Sequence, residues 1–130
     1  MKPLFIPLLL SCLFFGLTTK AQSLTEKDFR LLIDGKIYSD STNIISVSEL
    51  LKLREVTANF SWITVKSIVI YYYPSCDVPI KRCFTNIVCE DAKELMKKLK
   101  SGSGVIFSID EAVNKQGLKV NIKDIVFRIK

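Results

Sequence analysis

The chain has 130 residues, with 19 Lys and Arg against 13 Asp and Glu, a formal net charge of +6 and no histidine. Without histidine, neither a Ser–His nor a Cys–His catalytic pair can form, and the commonest metal ligand is missing. The positive charges are spread along the chain with acids between them, whereas nucleic-acid binders concentrate them on one face. We therefore expect no enzyme, no metal site, no cofactor and no nucleic-acid partner.

The first 21 residues are typical of a signal peptide. A short basic start precedes an almost wholly apolar run over Leu4–Leu17, and Thr19 and Ala21 supply small residues before a cleavage point. Cleavage after Ala21 leaves residues 22–130, which have room for one domain with a single core. The apolar run is short for a transmembrane helix, and the alternative, a lipoprotein modified at Cys12, would place that cysteine in the middle of the run. The expected product is periplasmic or secreted, and soluble, without stable membrane insertion.

The remaining chain predicts a sheet-rich domain with one clear helix. The predicted elements are strands at Phe29–Ile33 and Lys36–Tyr38 around a turn at Asp34-Gly35, a helical turn from Ser46 or Ser48 to Leu53, strands at Arg54–Phe60, Ile63–Tyr73 and Ile80–Phe84, a helix at Glu90–Lys100, and strands at Val105–Ile109 and Asp124–Lys130. The helix carries an apolar stripe at a spacing of i, i+3, i+4 and i+7. We expect a fold that is mainly β with one α-helix (α+β), arranged as an antiparallel β-sandwich-like single domain.

The strand ending in three tyrosines is apolar on both faces. Tyr71 and Tyr73 lie on one face and Tyr72 on the other, because successive side chains in a strand alternate. The end of a strand cannot bury both faces, so one face projects apolar rings with polar tips, which are favoured in contact surfaces. Tyr71, Tyr73 and Pro74 are therefore a candidate partner surface, and an ordinary sheet rim is the alternative.

Three cysteines follow the predicted cleavage point, and export favours their oxidation. Cys76 and Cys83 flank the turn Asp77–Pro79, which predicts a Cys76–Cys83 disulfide worth about 2 kcal/mol in the chain-entropy picture. Cys89 lies at the N-cap position of the predicted helix, where thiol pKa values fall. It is either a reactive or intermolecularly bridged thiol, or a small, partly buried capping residue.

Two other motifs have structural explanations. Ser101–Gly104 lacks the lysine and the following helix of a phosphate-binding loop, so it predicts a turn between helix and strand. Glu90 and Asp91 fit the positive end of a helix dipole, and the adjacent Asp110 and Glu111 predict a solvated loop after a strand. Neither pair brings together acids from distant segments, as a paired-carboxylate hydrolase requires.

The order of elements resembles the C-terminal periplasmic domain of GldM, a family of the gliding-motility and type IX secretion machinery of the Bacteroidetes. The resemblance runs through FRLLIDGKI, ISVSELLKLREVTANFSWITVKSIVIYYYP, EDAKELMKKLKSGSGVIFSIDEAV and KDIVFRIK, which together span nearly all of residues 22–130. The matching positions are structural rather than catalytic, as in Ser48-Glu49-Leu50 and Ile125–Phe127.

This resemblance implies a β-sandwich-like module that makes protein contacts in the periplasm and has no chemistry of its own. The expected function is a non-enzymatic exported protein-interaction module, accessory to the type IX secretion and gliding envelope machinery, with an envelope protein as its partner. The alternative is a periplasmic small-molecule or glycan-binding domain that uses the tyrosine rim as a stacking surface.

Overall fold

A computed structural model describes residues 28–73 and 80–130 of the chain. Over these residues the elements are β1 (Leu31–Ile33), β2 (Lys36–Ile37), β3 (Asn43–Ile45), α1 (Val47–Leu51), β4 (Val56–Ala58), β5 (Thr64–Tyr73), β6 (Ile80–Cys83), α2 (Glu90–Met96), β7 (Gly104–Val113) and β8 (Ile125–Ile129). The strands form a three-stranded sheet in the order β2-β1-β4 and a five-stranded sheet in the order β3-β8-β7-β5-β6. Neighbouring strands are antiparallel except β3 and β8, which pair in parallel.

The predicted α+β class with a dominant sheet is confirmed, and several boundaries are corrected. Strand β3 begins at Asn43, where the sequence predicts only a loop. Strand β7 continues to Val113 instead of ending at Ile109, so Asp110 lies within a strand and not in a solvated loop. Helix α2 ends at Met96, because the chain turns before the predicted end at Lys100.

The hairpin turn between β1 and β2 also ties the small sheet together. Asp34 and Gly35 both have positive φ values, 53° and 79°, a region that Asp tolerates better than most residues and Gly enters freely. The Asp34 carboxylate accepts hydrogen bonds from the backbone N–H groups of Arg54 at 3.1 Å and Glu55 at 2.9 Å. One short turn thus positions both β2 and the start of β4.

The two helices begin in different ways. Ser46 caps α1 and accepts a hydrogen bond from the backbone N–H of Glu49 at 3.2 Å, while its hydroxyl donates to the Glu49 carboxylate at 2.9 Å. That hydrogen bond lowers the pKa of Glu49. Helix α2 has Cys89 at its N-cap without a side-chain capping bond. It is held instead by Tyr72, whose hydroxyl donates to the carbonyl of Ala92 at 2.9 Å.

The hydrophobic core lies on one face of the five-stranded sheet. Phe107 and Phe127 are fully buried there and meet edge to face at 5.5 Å between ring centroids. Phe127 also packs edge to face against Tyr38 at 5.1 Å. Helix α2 covers the same face, since Tyr72 reaches it from β5. The opposite face of this sheet, which we call the outer face, carries the candidate site.

Candidate interaction surface

The strand register determines which side chains share the outer face, because residues directly opposite each other in a sheet point to the same side. Two neighbouring rows of paired residues cross the sheet near one end. We call these eight residues the outer band: Ile80, Tyr71, Ile106 and Val126 in one row, and Tyr73, Gly104, Arg128 and Ile44 in the next. The band therefore takes side chains from all five strands of the sheet.

The outer band is exposed although it is largely apolar. The exposed fractions are 60% for Ile44, 51% for Ile80, 43% for Tyr73 and 37% for Tyr71. Val69, two positions along β5 from Tyr71, is buried but does not belong to the core cluster. Its cross-strand neighbours on the outer face are Arg82 and Ser108, so the apolar character of this face ends beside the band.

The sequence-predicted tyrosines lie in this band. Tyr71 and Tyr73 point to the outer face, as their alternation with the core residue Tyr72 predicts. Pro74, the third residue of the candidate partner surface, lies outside the described residues. Sequence reasoning missed Ile44, Ile106 and Arg128 as members of the same surface, because periodicity identifies the faces of a strand but not its neighbours in the sheet.

Gly104 explains how the tyrosine ring at the end of β5 is held. Tyr73 and Gly104 are directly opposite in the register of β5 and β7. A Cβ atom added at Gly104 would overlap the ring of Tyr73, so the ring lies flat over the glycine backbone. Glycine is the residue that permits such a close approach. One face of the Tyr73 ring is therefore packed on the sheet, and the ring contributes its remaining exposed area to the band.

The polar part of the outer face lies at the other end of the strands. Ser67 is buried at a bulge in β5, and its hydroxyl donates to the Asp110 carboxylate at 2.8 Å. The guanidinium of Arg82 lies 3.4 Å from the other carboxylate oxygen of Asp110. This carboxylate is thus engaged by a hydroxyl and a cation. Within the band itself, Arg128 is the only charged residue.

A shallow cavity of about 230 Å³ lies beside this polar end, between β7 and the segment 119–122. The β7–β8 ladder is open here. Val113 pairs with Lys119 and Phe107 with Ile125, so five residues on each side lie between the two pairings and neither side carries an extra residue. Asp110 lines the cavity. Over residues 28–73 and 80–130, no cluster of three Cys, Asp or Glu side chains could hold a metal ion.

The predicted Cys76–Cys83 disulfide differs from the bond in the structure. Cys83 is bonded to Cys89, with their Cα atoms 5.6 Å apart, and a sulfur in a disulfide has no second partner. Cys76 lies outside the described residues. Cys89 does occupy the helix N-cap, as predicted, but the bond removes its reactive thiol.

The physical reason for this pairing is the direction of the Cys83 side chain. Cys83 is paired with the core residue Ile68 and is itself buried in the core, on the side where α2 packs. One feature of the sequence indicates the Cys83–Cys89 pairing: Cys89 lies at the start of a helix that follows the strand of Cys83 after a short connection.

Comparison with protein-family models and with curated proteins finds no match for this chain. Among the helices of the described ranges, neither is long and apolar enough to cross a membrane. The outer band and the disulfide are therefore the structural features that bear on function, and the resemblance to the GldM C-terminal domain stays a prediction from the order of elements.

Proposed function

We propose that the protein is a non-enzymatic protein-interaction module that works outside the cytoplasm, and that the outer band is its contact surface. The observation that carries this proposal is the exposed and largely apolar band across the five-stranded sheet. The Cys83–Cys89 disulfide supports an oxidising compartment, since structural disulfides persist there and are rare in the cytosol.

The composition of the band supports a contact surface over an ordinary sheet rim. Single exposed apolar residues are normal on soluble proteins, whereas contiguous patches mark interaction sites. Tyr71, Tyr73 and Arg128 belong to the residue types that are enriched in interfaces and dominate their binding energy. The Tyr73 ring also loses little freedom on binding, because it is already packed over Gly104.

The cellular setting of this module is a further part of the proposal. The order of elements resembles the GldM C-terminal domain, so the proposed setting is the gliding and type IX secretion machinery, with an envelope protein as the partner. The apolar run at Leu4–Leu17 supports export to that compartment.

Site-specific photocrosslinking in cells tests the contact surface. A photoreactive side chain replaces Ile80 in the band or, as a matched control, Ile37 on the edge strand β2, where the exposed fraction is 59%. We expect discrete protein adducts from position 80 and none from position 37. Equal adducts from both positions, or none from position 80, would contradict a contact function of the band. Mass spectrometry of the adducts shows whether secretion components are among them.

The flat Tyr73 ring favours a second candidate function, a small-molecule or glycan-binding domain. An aromatic ring lying on a sheet is a preformed stacking surface, and Arg128 beside it, opposite the same glycine, offers hydrogen-bond donors. A thermal shift across a panel of sugars and peptidoglycan fragments tests this function. A shift that persists in the Tyr73→Ala variant would exclude the ring as the binding site.

A further inference from the structure

The outer band is centred on the middle strand of the five-stranded sheet. Strand β7 is the central strand, with β5 and β8 on its two sides and β6 and β3 at the edges. Ile106 and Gly104 of β7 lie at the centre of the band. A two-fold axis parallel to the strands, placed above β7, exchanges the β5 side with the β8 side and keeps each row in place.

We propose that the occupant of the outer band is the same band of a second copy of this chain, packed face to face about this axis. This inference rests on the proposed contact function of the band and names its partner. In a two-fold interface each contact occurs twice, with the two residues exchanged. The register places Tyr73 against Arg128 of the second copy, Tyr71 against Val126, and Ile106 against its own counterpart, while Ile80 faces the β3 edge one row away from Ile44.

The charges in the band fit this arrangement. The chain carries a net charge of +6, so two copies repel weakly at long range, and a contact between like charges at the interface would oppose pairing. The two-fold operation avoids such a contact, because each Arg128 faces the exposed side of a Tyr73 ring. A guanidinium over the face of an aromatic ring is attractive. The remaining six residues of the band are uncharged.

The size of the band indicates a reversible dimer. The band has eight residues per copy, whereas a standard stable interface takes about 20–30 residues from each partner. Interfaces below the standard size belong to transient complexes. We therefore expect monomers and dimers to exchange in the micromolar concentration range.

Sedimentation velocity of the purified protein from about 1 µM to about 500 µM tests the dimer directly. The wild type should move from monomer to dimer across this range. Ile44→Lys should raise the dissociation constant by about 10-fold or more, because it places a cation in the band. The matched control is Ile37→Lys, which changes the same residue type at nearly the same exposure, 59% against 60%, also on an edge strand. This control should leave the dissociation constant unchanged.

A mixing experiment tests the specific pairing of Tyr73 with Arg128. R128E homodimers lose the cation–ring contact, and Y73R homodimers bring guanidinium groups together twice. In the mixed dimer one native Tyr73–Arg128 contact remains, and the introduced carboxylate faces the introduced guanidinium. We expect each variant alone to be monomeric and an equimolar mixture to dimerise at least about 10-fold more tightly than either variant. The thermal unfolding of each variant shows that it is folded.

The outcomes separate the two proposals. A wild type that stays monomeric up to about 500 µM overturns self-association. So does an Ile37→Lys variant that dissociates as readily as Ile44→Lys, or a mixture that does not associate. In each case, band-specific crosslinks to a different protein in cells would leave the proposed contact function standing. Crosslinks to a second copy are the expected result, and the absence of any adduct from the band contradicts both.

Discussion

The Cys83–Cys89 disulfide makes a prediction that also decides between the two possible cysteine pairings. The bond closes a loop with a sequence separation of 6, for which the chain-entropy relation gives about 2 kcal/mol. Cys89→Ala removes the cross-link but leaves the buried Cys83 in the core. We expect its free energy of unfolding to fall by about 2 kcal/mol, equivalent to a midpoint lower by about 10 °C for a domain of this size. Thermal unfolding followed by circular dichroism measures the change.

Cys76→Ala is the matched control for this prediction. It should unfold at the same midpoint as the wild type, and it should show no free thiol when the predicted signal segment has been removed. Adding a reductant should lower the midpoint of the wild type and of Cys76→Ala equally, and it should not affect Cys89→Ala. If Cys76→Ala is instead the destabilised variant and Cys89→Ala behaves as the wild type, the bridge joins Cys76 to Cys83 and the reasoning from the structure is wrong.

Three further predictions concern the sheet and its turns. Gly104→Ala should lower the free energy of unfolding by about 2 kcal/mol, because the added Cβ would overlap the Tyr73 ring. In a Tyr73→Ala background, chemical denaturation should show that the same substitution lowers it by less than about 0.5 kcal/mol. Burial raises the pKa of Tyr72 above its ordinary value of 10.0. The unfolded chain therefore releases the phenolic proton first as the pH rises. The contribution of Tyr72 to the free energy of unfolding is full below pH 10.0 and is lost as the pH rises above it. Tyr72→Phe removes the hydrogen bond, so its free energy of unfolding should be about 1 kcal/mol lower at neutral pH and should fall less steeply at alkaline pH. Tyr71→Phe, at an exposed position, should keep the alkaline fall in the free energy of unfolding. Asp34→Ala should lower the free energy of unfolding, measured by urea denaturation, by about 1.5 kcal/mol, because two backbone N–H groups lose their acceptor in a left-handed turn. Asp34→Asn keeps one side-chain oxygen and should lower it by less. Equal losses in the two variants would refute the role of the carboxylate oxygens.

The local features of this fold were largely predictable from the residues. Asp34-Gly35 predicts a hairpin turn because both residues tolerate positive φ, and the structure has them there. The opposite faces of Tyr72 and Tyr71 follow from the period of a strand. The bulge near Ser67 shifts the register but precedes the tyrosines, so their alternation was unaffected.

The features that depend on the arrangement of strands were not predictable. Ile44 and Arg128 share a surface only because β3 pairs in parallel with β8, and a strand of three residues gives too little periodicity to be detected. Gly104 belongs to a sequence that predicts a turn, and nothing in the sequence indicates a ring above it. The turn at Asp77–Pro79 predicted Cys76 as the partner of Cys83, but the bond joins Cys83 to Cys89, because the direction of a strand side chain determines which cysteine it can reach.

The parallel pairing of β3 with β8 has a consequence for the order in which the protein assembles. Asn43 donates to the carbonyl of Val126, 83 positions later in the chain, so β3 has no sheet neighbour until β8 has been synthesised and folded. Contacts between such distant residues form late and slow the folding of a chain. The pairing of β3 with β8 then places Ile44 beside Arg128 on the outer face. A complete outer band therefore requires the pairing of β3 with β8, and incompletely folded chains lack the full surface that we propose for self-association.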